Sequence, residues 1–587
     1  MKIKSLLIGM LACTALVGCS SNDEPVVDNQ KNEINGDAYI TVKFSMAGNS
    51  ATSRAFKDEN FLEVGSTSAE ATVSSATFYF LDANNQGCAD SYTYTGDLNP
   101  WTDSEENNAS IDETATPIIV IKNPIATPKY IVAVLNANDP LASVSKRPSL
   151  AQIQAAVSDY STQESGKFVM SNSVYVKDSK VITATEILET QIYDQINDKI
   201  VGGDSHKVDK DGKDVSPVVI PVERVLAKVT AAIDETAYEE SNTTTQGENS
   251  AYTIEVEIEG WGLANMTTTS YLVKKLSTSY TNFATNHQTA TGAKDETVWW
   301  NDAPNTRSYW AESPANVTYK NTGTWTSFAT NDITNPLYCQ ENTTASPTEF
   351  VAAATLKLNG NPQTFVRWAG NIHTDTDFIN LIANSFQTYV ITDGTADETG
   401  NINPTNTYFL DGQNTTDGGT HITPAIFGWH YNGKKLADGS IVKDDKLKPY
   451  EGQIEVYEME GYNLAKVTTD GQGVKTYTKV DAKDVQDDIR KQVDIVTLWL
   501  DGKTYYYTNI IHNSEDTEIG ATDLCAIVRN HLYKLNITGV AGMGTPAPAP
   551  DQVIDPETPA EDDESYLAAE IQILSYKVVP TQNVTLQ

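Results

Sequence analysis

The first clear pattern after the N-terminus is an alternation of apolar and polar residues with a period of two. Five apolar residues share one face of this segment: Ala38, Ile40, Val42, Phe44 and Met46. Strict alternation is typical of a β-strand that buries one face against a core. The pattern therefore predicts a strand over residues 38–46.

Runs rich in β-branched and aromatic residues recur through the rest of the chain and predict further strands. They are Ala76–Leu81, Ile118–Lys122, Tyr130–Leu135, Val218–Val222, Tyr252–Ile258, Phe350–Leu358, Ile454–Tyr457, Val493–Leu500, Thr504–Thr508 and His531–Ile537. Helix signals are few. Ser149 and Gln152 form a capping-box pair before residues 150–160, Asp377 is placed to cap residues 378–386, and residues 482–492 are a third candidate. Many short strands and few helices favour a mainly β fold built from β-sandwiches, with a junction near residue 262.

The C-terminal end carries another alternating segment. Residues 541–565 are rich in Gly, Pro and acidic residues and read as a linker. Beyond them Leu567, Ala569, Ile571 and Ile573 share one face. The phase then slips by one residue, so that Leu574, Tyr576 and Val578 alternate, which indicates a bulge or two short strands. A single apolar strand on a linker is not stable alone, so we expect it to pair with a sheet edge of its own chain or of a neighbour.

The N-terminal residues 1–19 have the pattern of an export signal. Lys2 and Lys4 precede an apolar stretch, Leu6–Val17, that is too short to span a bilayer. It ends in Leu16-Val17-Gly18-Cys19, which resembles a bacterial lipobox. That resemblance implies that Cys19 becomes the first residue of a lipoprotein and carries a diacylglycerol, usually with a third acyl chain such as palmitate. An ordinary secretory signal is the alternative.

Composition narrows the class of protein. The chain has 587 residues, with 41 Lys and Arg against 78 Asp and Glu, a formal charge of −37. So negative a field repels phosphates and argues against a nucleic-acid partner. Hydrophobic residues make up 39% of the chain, which is more than a disordered acidic polymer contains.

The residues with chemical potential form no recognisable catalytic site. The seven histidines have no zinc-binding spacing, and Asp209–Asp214 resembles half of a calcium loop but fits an acidic hairpin turn better. Tyr505–Tyr507 and Trp299–Trp300 are of the type that stacks on sugars, although burial within a sandwich explains them more simply. Cys88, Cys339 and Cys525 are widely spaced and fit small buried side chains. We therefore expect no enzyme activity, cofactor or metal.

One further segment links the two alternating ends. Arg54-Ala55 follows the first strand in a stretch of small and polar residues, where a trypsin-like protease finds a good substrate. Removal of the strand at residues 38–46 would leave an open groove with unpaired backbone groups, which is a template for another strand. The C-terminal strand of a neighbour is the natural candidate to fill it.

With these features the chain resembles the FimA/Mfa-type fimbrillins, the structural subunits of type V pili of Bacteroidales-type bacteria. The resemblance rests on the lipobox at Cys19 and on segments spread along the chain: 52–55, 130–137, 168–172, 222–229, 260–265, 505–507 with His512, and 528–539. The last of these, an Arg-Asn-His-x-Tyr strand that runs into a linker and a terminal strand, is the most specific. The tail departs from the family pattern, because it ends without the Trp that some relatives carry.

The resemblance implies two β-sandwich domains of the transthyretin-like or Greek-key type and a swinging C-terminal donor strand. The expected parts are a signal (1–19), a propeptide with the removable strand (20–54), an N-terminal domain (55–262), a C-terminal domain (263–540), a linker (541–565) and the donor strand (566–587). The expected precursor is an outer-membrane lipoprotein, cut between Arg54 and Ala55 by a trypsin-like or Arg-specific protease.

The mature form is then expected in a surface fimbria that supports adhesion, colonisation and biofilm growth. Its partners would be copies of itself and fimbrial anchor or accessory subunits. The alternative is a monomeric surface lipoprotein or pilus-tip adhesin that binds carbohydrate or a host protein. A tip adhesin needs no donor tail, so the alternating segment after the linker favours a shaft subunit.

Overall fold

The structure is a computed structural model, and part of the chain is described in it. The described residues are 38–47, 70, 72–96, 98, 102–103, 111–113, 117–137, 139–160, 168–177, 180–193, 216–241, 243–245, 252–276, 311–322, 325–328, 335–342, 347–510, 527–547, 566–575 and 582–584. They form a mainly β protein with several sheets and a few short helices, which confirms the predicted fold class at that level. Within these ranges, none of the helices combines the length and the apolar character needed to cross a bilayer.

The first unit is built around one large sheet. Its elements are β1 (Ala38–Ala47), β2 (Ala76–Leu81), β3 (Tyr92–Tyr94), β4 (Thr102–Asp103), β5 (Ile111–Glu113), β6 (Ile118–Ile121), β7 (Tyr130–Leu135), α1 (Leu150–Gln154), β8 (Val157–Ser158), β9 (Met170–Asn172), β10 (Tyr175–Lys177), β11 (Lys180–Ile182), β12 (Thr185–Glu186), a 3-10 turn (Glu189–Gln191), β13 (Ile192–Tyr193) and β14 (Val218–Arg224). The strands run in the order β3-β2-β7-β9-β14-β1-β5-β4. Both faces of the sheet are covered, because Phe78 and Phe80 of β2 lie in one core while Tyr79 and Leu81 lie in another.

The second unit begins directly after the first. Its elements are β15 (Leu226–Ile233), α2 (Glu235–Ser241), β16 (Thr243–Thr245), β17 (Thr253–Ala264), β18 (Met266–Thr267), β19 (Ser270–Tyr271), β20 (Tyr319–Lys320), β21 (Leu337–Gln340) and β22 (Glu349–Leu358). β14 pairs within the first sheet and β15 within the next, so the chain passes between units at Val225. Residue 262, where the sequence predicts a domain junction, lies inside β17.

A third unit is inserted between two paired strands of the second. After β23 (Asn361–Pro362), which pairs with β22 of the second unit, its elements are β24 (Phe365–Trp368), β25 (Asn371–Thr374), α3 (Asp375–Ser385), β26 (Tyr389–Thr392), β27 (Asn401–Ile402), β28 (Thr407–Tyr408), β29 (Phe427–Tyr431), β30 (Lys434–Lys435), β31 (Ile441–Val442), β32 (Glu451–Val456), β33 (Asn463–Thr469), β34 (Lys475–Lys479), α4 (Ala482–Arg490), β35 (Val496–Trp499) and a 3-10 turn (Leu500–Gly502). Two sheets and helices α3 and α4 enclose a core of their own, which includes Phe378, Ile391 and Leu498. No local pattern in the sequence predicts this separate core.

The chain then returns to the second unit. The remaining elements are β36 (Lys503–Asn509), β37 (His531–Ala541), β38 (Thr545–Pro546), β39 (Tyr566–Ser575) and β40 (Gln582–Val584). The sheet β21-β15-β37-β39-β40 and the sheet β16-β17-β22-β36-β38 contribute to a common core that contains Val229, Leu356 and Leu535. This unit is a β-sandwich whose last strands are contributed by the C-terminal end of the chain.

The two glycines of the Gly260-Trp261-Gly262 segment in β17 leave room for a neighbouring segment of the chain. Trp261 is fully buried and its indole N–H donates to the Ser327 carbonyl at 3.1 Å. Residues 321–322 and 325–328, called the strap here, lie against this part of the strand. A Cβ atom at position 260 would lie 3.0 Å from the Thr326 carbonyl oxygen, and one at position 262 would lie 3.2 Å from the Thr322 Cβ. The glycines therefore allow the strap to approach the strand.

The helices differ in detail from the sequence prediction. Ser149 and Gln152 do form a capping box, but α1 ends at Gln154 because Val157–Ser158 continues as a strand. The N-cap of α3 is Thr374 rather than Asp377: the Thr374 hydroxyl accepts the Asp377 N–H at 3.2 Å, so Asp377 lies in the first turn. The helix predicted over residues 482–492 is α4, which ends at Arg490.

Candidate functional site

The strand β1 lies inside the first sheet rather than at its edge. Its second half pairs with β14 in parallel, with Val42 opposite Val218 and Phe44 opposite Ile220. Its first half pairs antiparallel with β6, and with β13 at Tyr39 and Ile40, while its last residues pair with β5. Its backbone therefore completes ladders with several strands of the first unit.

The side chains of β1 fill the core of the first unit. Ala38, Ile40, Val42 and Phe44 are each fully buried, which confirms the predicted apolar face for these four residues. The Phe44 ring stacks on Phe78 with centroids 5.9 Å apart. The side chain of Met46, the fifth predicted member, lies outside the described part of the chain. Because β1 supplies alternate side chains to the core, its departure would open an apolar groove.

Replacing Phe44 with alanine should lower the free energy of unfolding of the precursor by about 3–5 kcal/mol, because a buried ring is lost and a cavity remains. Urea unfolding measures this change. The matched control is Val219→Ala on the neighbouring strand β14, where the side chain is 41% exposed and the cost should stay below about 1 kcal/mol. Equal losses in the two variants would show that Phe44 is not a core residue.

The C-terminal strand β39 pairs with the edge of the second unit. It runs antiparallel to β37 from Ala541↔Tyr566 to His531↔Ser575. Three residues of its predicted apolar face, Ala569, Ile571 and Ile573, lie opposite Ile537, Leu535 and Tyr533, which are buried core residues. The short strand β40 then pairs with residues 569–571. In this structure the C-terminal strand is thus bound to its own chain.

The phase slip predicted between Ile573 and Leu574 does not appear as a bulge or a strand break; the irregularity lies instead in the partner strand, opposite Ala568 and Ala569. The ladder shifts register between Ile537 and Gly539, so that Leu567 lies opposite Val540, which is also buried. Through Ile573 and Leu574 the pairing is continuous. Tyr576 and Val578, the other predicted donor residues, lie outside the described residues.

The first part of the predicted linker is packed against the second unit. Gly542 and Gly544 have φ values of +72° and +69°, and Met543 between them is buried. The hydroxyl of Tyr506 donates to the Gly542 carbonyl at 2.9 Å, and the Trp499 indole N–H donates to the Gly544 carbonyl at 3.3 Å. Residues 548–565 lie outside the described part of the chain.

The lipidation and cleavage residues predicted from the sequence, Cys19, Arg54 and Ala55, all lie outside the described residues. Arg54 is nevertheless bracketed in the sequence by two described positions, Ala47 at the end of β1 and Glu70. A cut after Arg54 would therefore leave no covalent link between β1 and Glu70.

Glu70 is held in a buried network between the first and second units. Its carboxylate accepts from the Lys228 ammonium at 2.6 Å and from the Tyr338 hydroxyl, and its carbonyl accepts from the Arg224 Nε–H at 3.0 Å. Burial alone would raise the pKa of Glu70, but the Lys228 charge and the hydrogen bonds from Lys228 and Tyr338 outweigh it and lower that pKa. The carboxylate is therefore kept charged and fixed in place.

A second buried ion cluster lies beside the first. The Lys274 ammonium donates to Glu223 at 3.1 Å, and the Arg529 guanidinium donates to Glu341 and, at 3.0 Å, to the Leu272 carbonyl. The four charged side chains are at most 2% exposed. Burial raises the pKa of Glu223 and lowers that of Lys274, because desolvation disfavours both charged forms. Removing one partner from such a cluster would leave an uncompensated buried charge.

These two clusters bring together segments that the sequence singled out separately. Glu223, Arg224 and Lys228 come from the segment 222–229, and Arg529 from the segment 528–539. No motif in the sequence predicts a role for Glu70, Lys274 or Glu341. The available signal was a charged residue within an apolar run, as for Lys228 between Ala227 and Val229.

The aromatic and sulfur side chains fit structural roles where they are described. Tyr505 and Tyr506 are buried, and Trp325, which is 43% exposed, stacks on Tyr505 with centroids 5.6 Å apart. Cys88 and Cys339 are buried free thiols, and burial raises the pKa of each to about 12. Trp299, Trp300, Cys525 and Asp209–Asp214 lie outside the described residues.

The C-terminal part of the chain matches a known protein family. Residues 497–581 match a family described as major fimbrial subunit protein type IV, fimbrillin, C-terminal. This range contains β36 to β39, and with them Arg529 and the tail strand. No curated protein matches the chain.

Several solved structures show a distant likeness. A candidate cell adhesion protein from Parabacteroides distasonis is 13% identical, with 93% of this chain and 99% of that chain covered and a TM-score of 0.34. A candidate cell adhesion protein from Bacteroides eggerthii is 10% identical, with 94% and 99% covered and a TM-score of 0.30. The tip fimbrial protein Mfa3 from Porphyromonas gingivalis, truncated at its C-terminus, is 12% identical, with 73% and 99% covered and a TM-score of 0.23. The family match covers residues 497–581 of the 587-residue chain.

Proposed function

We propose that this chain is a structural subunit of a surface fimbria. The premise is the match of residues 497–581 to the C-terminal region of fimbrillins. The chain is exported as a lipoprotein precursor through Cys19, cut after Arg54 and polymerised by donor-strand exchange. The observation that carries the proposal is the position of β1. This strand is buried in the sheet of the first unit, yet it is joined to Glu70 only through a segment of sequence that contains Arg54.

Loss of β1 would create a site for a strand. The backbone groups of Val218–Pro221 in β14 and of Ile118–Ile121 in β6 would lose their partners. The core would lose Ile40, Val42 and Phe44, each of which contributes about 1.5–3 kcal/mol through burial. Unpaired strand edges above an exposed core bind another strand readily, so the cut subunit would be an acceptor.

The tail strand has the properties of a replacement for β1. Both strands are 10 residues long. Both place apolar residues at every second position: Ala38, Ile40, Val42 and Phe44 in β1 and Leu567, Ala569, Ile571 and Ile573 in β39. Each backbone hydrogen bond formed in the new ladder would add about 0.5–1.5 kcal/mol. The tail of one subunit could therefore take the place of β1 in the next.

Such a contact is heterologous, because a tail on one subunit meets a groove on another. A heterologous contact that does not close on itself produces a filament. We infer that the partners are other copies of this chain, together with anchor and accessory subunits that complete the two ends. The role is structural, and nothing in the residues assigned to it requires catalysis.

Limited trypsin treatment of the purified precursor tests this function. We expect a stable body that begins at Ala55 and that forms ladders on gels and filaments in electron micrographs. Uncut precursor, incubated in parallel, should stay monomeric because β1 occupies the groove. A cut body that begins at Ala55 but remains monomeric would contradict the polymer and favour the surface adhesin.

A further inference from the structure

The junction between the units connects the two strand sites through one asparagine. Asn530 precedes β37 and has a φ of +59°, and its side chain is buried. Its Oδ1 accepts from the backbone N–H of Arg224 at 3.2 Å and from the Arg224 guanidinium at 3.4 Å, and its own N–H donates to the Leu226 carbonyl at 2.9 Å. This side chain therefore ties the end of β14 to the start of β37.

Each of these strands holds one of the two exchangeable strands. β14 pairs with β1 over Val218–Pro221, three residues before Arg224. β37 pairs with the tail, and the residue next to Asn530, His531, lies opposite Ser575. The buried contact between Asn530 and Arg224 thus lies at the end of β14, which forms the wall of the groove that β1 fills. It also lies at the end of the β37–β39 ladder that holds the tail.

A third segment reaches the same place. The Arg224 Nε–H donates to the Glu70 carbonyl, and Lys228 and Tyr338 hold the Glu70 carboxylate. Glu70 is the first described residue on the C-terminal side of Arg54. The groove wall, the tail-holding strand and the chain that follows the cut are therefore all bonded, directly or through Asn530, to Arg224.

We infer that Arg224 and Asn530 are positioning residues that couple the two strand sites, so that β1 in the groove strengthens the pairing of the tail with its own β37. This inference rests on the proposed function, and it names a regulation of that exchange. When β1 leaves, Val218–Pro221 lose their neighbour and β14 is held in the sheet only by the pairing of Val222–Arg224 with β9, so Arg224 is less firmly placed. A shift of Arg224 breaks its bonds to Asn530, and a buried polar group that loses its partner is costly. The start of β37 then relaxes, and the tail is released for a neighbour.

Hydrogen exchange of the backbone amides of residues 566–575 tests the coupling in uncut precursor, where no filament forms. The variant Phe44→Ala weakens the packing of β1 against the core of the first unit. We expect it to speed exchange in the tail by 5- to 150-fold, the usual range for coupled sites. The matched control is Phe378→Ala, which removes an equally buried ring from the third unit and should leave the tail unchanged. Equal exchange in Phe44→Ala and in the unmodified precursor would overturn the inference, and so would equal acceleration by both variants.

The route through Asn530 is tested by a double-mutant cycle. Asn530→Gly keeps the positive φ without strain and removes only the side chain. In this background Phe44→Ala should no longer speed exchange in the tail, whereas Asn530→Asp, which keeps the acceptor oxygen, should restore the effect. An undiminished effect in Asn530→Gly would show that the coupling does not pass through Asn530. Failure of the coupling leaves filament formation by the trypsin-cut protein unaffected, so the two proposals are judged separately.

Discussion

Deletion of residues 566–587 is expected to yield a folded protein that is cut normally after Arg54 but no longer builds filaments. The deleted residues contain β39 and β40, which lie at the edge of the second unit and whose loss leaves the order β21-β15-β37 intact. The cut subunit keeps its groove but has no strand to donate. Electron microscopy after trypsin treatment, together with circular dichroism to verify the fold, measures the effect.

A shorter deletion serves as the control for this prediction. Removal of residues 576–587 leaves the complete β39, Tyr566–Ser575, so filaments should still form if this strand is the donor. Added to unmodified cut subunits, the 566–587 deletion variant should also shorten the filaments, because it accepts a tail and offers none. Filaments of normal length from the 566–587 deletion variant alone would show that another segment joins the subunits.

Replacement of Arg54 by alanine is expected to trap the precursor as a monomer under conditions in which the unmodified precursor polymerises completely. Without a cut after residue 54, β1 remains covalently attached and occupies the groove between β14 and β6. An intramolecular strand competes at a far higher effective concentration than the tail of a neighbour. Gel ladders and N-terminal sequencing after treatment with an arginine-specific protease measure the result, because trypsin can also cut after Lys57.

Arg54→Lys is the matched control. Trypsin cuts after lysine as well, so this variant should polymerise with trypsin and fail with a protease specific for arginine. Polymerisation of Arg54→Ala after trypsin treatment, with no cut between residues 47 and 70, would rule out removal of β1 as the activating step.

The parts of the site that the sequence predicted are those with a local pattern. The burial of Ala38, Ile40, Val42 and Phe44 follows from alternation with a period of two, and the structure confirms it. Alternation also identified the tail segment that forms β39. It did not reveal whether that strand pairs with its own chain, because the same apolar face suits any exposed sheet edge.

The parts that the sequence missed depend on contacts between distant segments. Glu70 and Lys228 are 158 positions apart, and Arg529 and Glu341 are 188 positions apart, so no local window contains either pair. The separate core of the third unit was missed for the same reason. Of the strands at its two ends, β24 and β35, only β35 lies in a predicted strand run, and the pairing between them joins segments far apart in the sequence.

The net charge of the chain affects how filaments in the proposed assembly would interact with one another. Residues 1–19 carry two lysines, and residues 20–54 carry five acids against three bases, so removal of both segments leaves residues 55–587 with the full −37. We expect this charge to keep neighbouring filaments apart, while subunit joining relies on apolar strand faces.

The third unit is inserted between β22 and β36. The surface that it exposes can therefore change in evolution independently of the strands that would join subunits. β22 and β36 pair directly from Glu349↔Asn509 to Thr355↔Lys503, so the inserted residues leave and re-enter the sandwich at neighbouring points. A different domain could occupy that position and keep the ladder, provided that it replaced Phe365 and Trp499, whose side chains lie in the core of the sandwich. If the proposed assembly holds, variants with different inserted units would expose different surfaces and still join through the same strands.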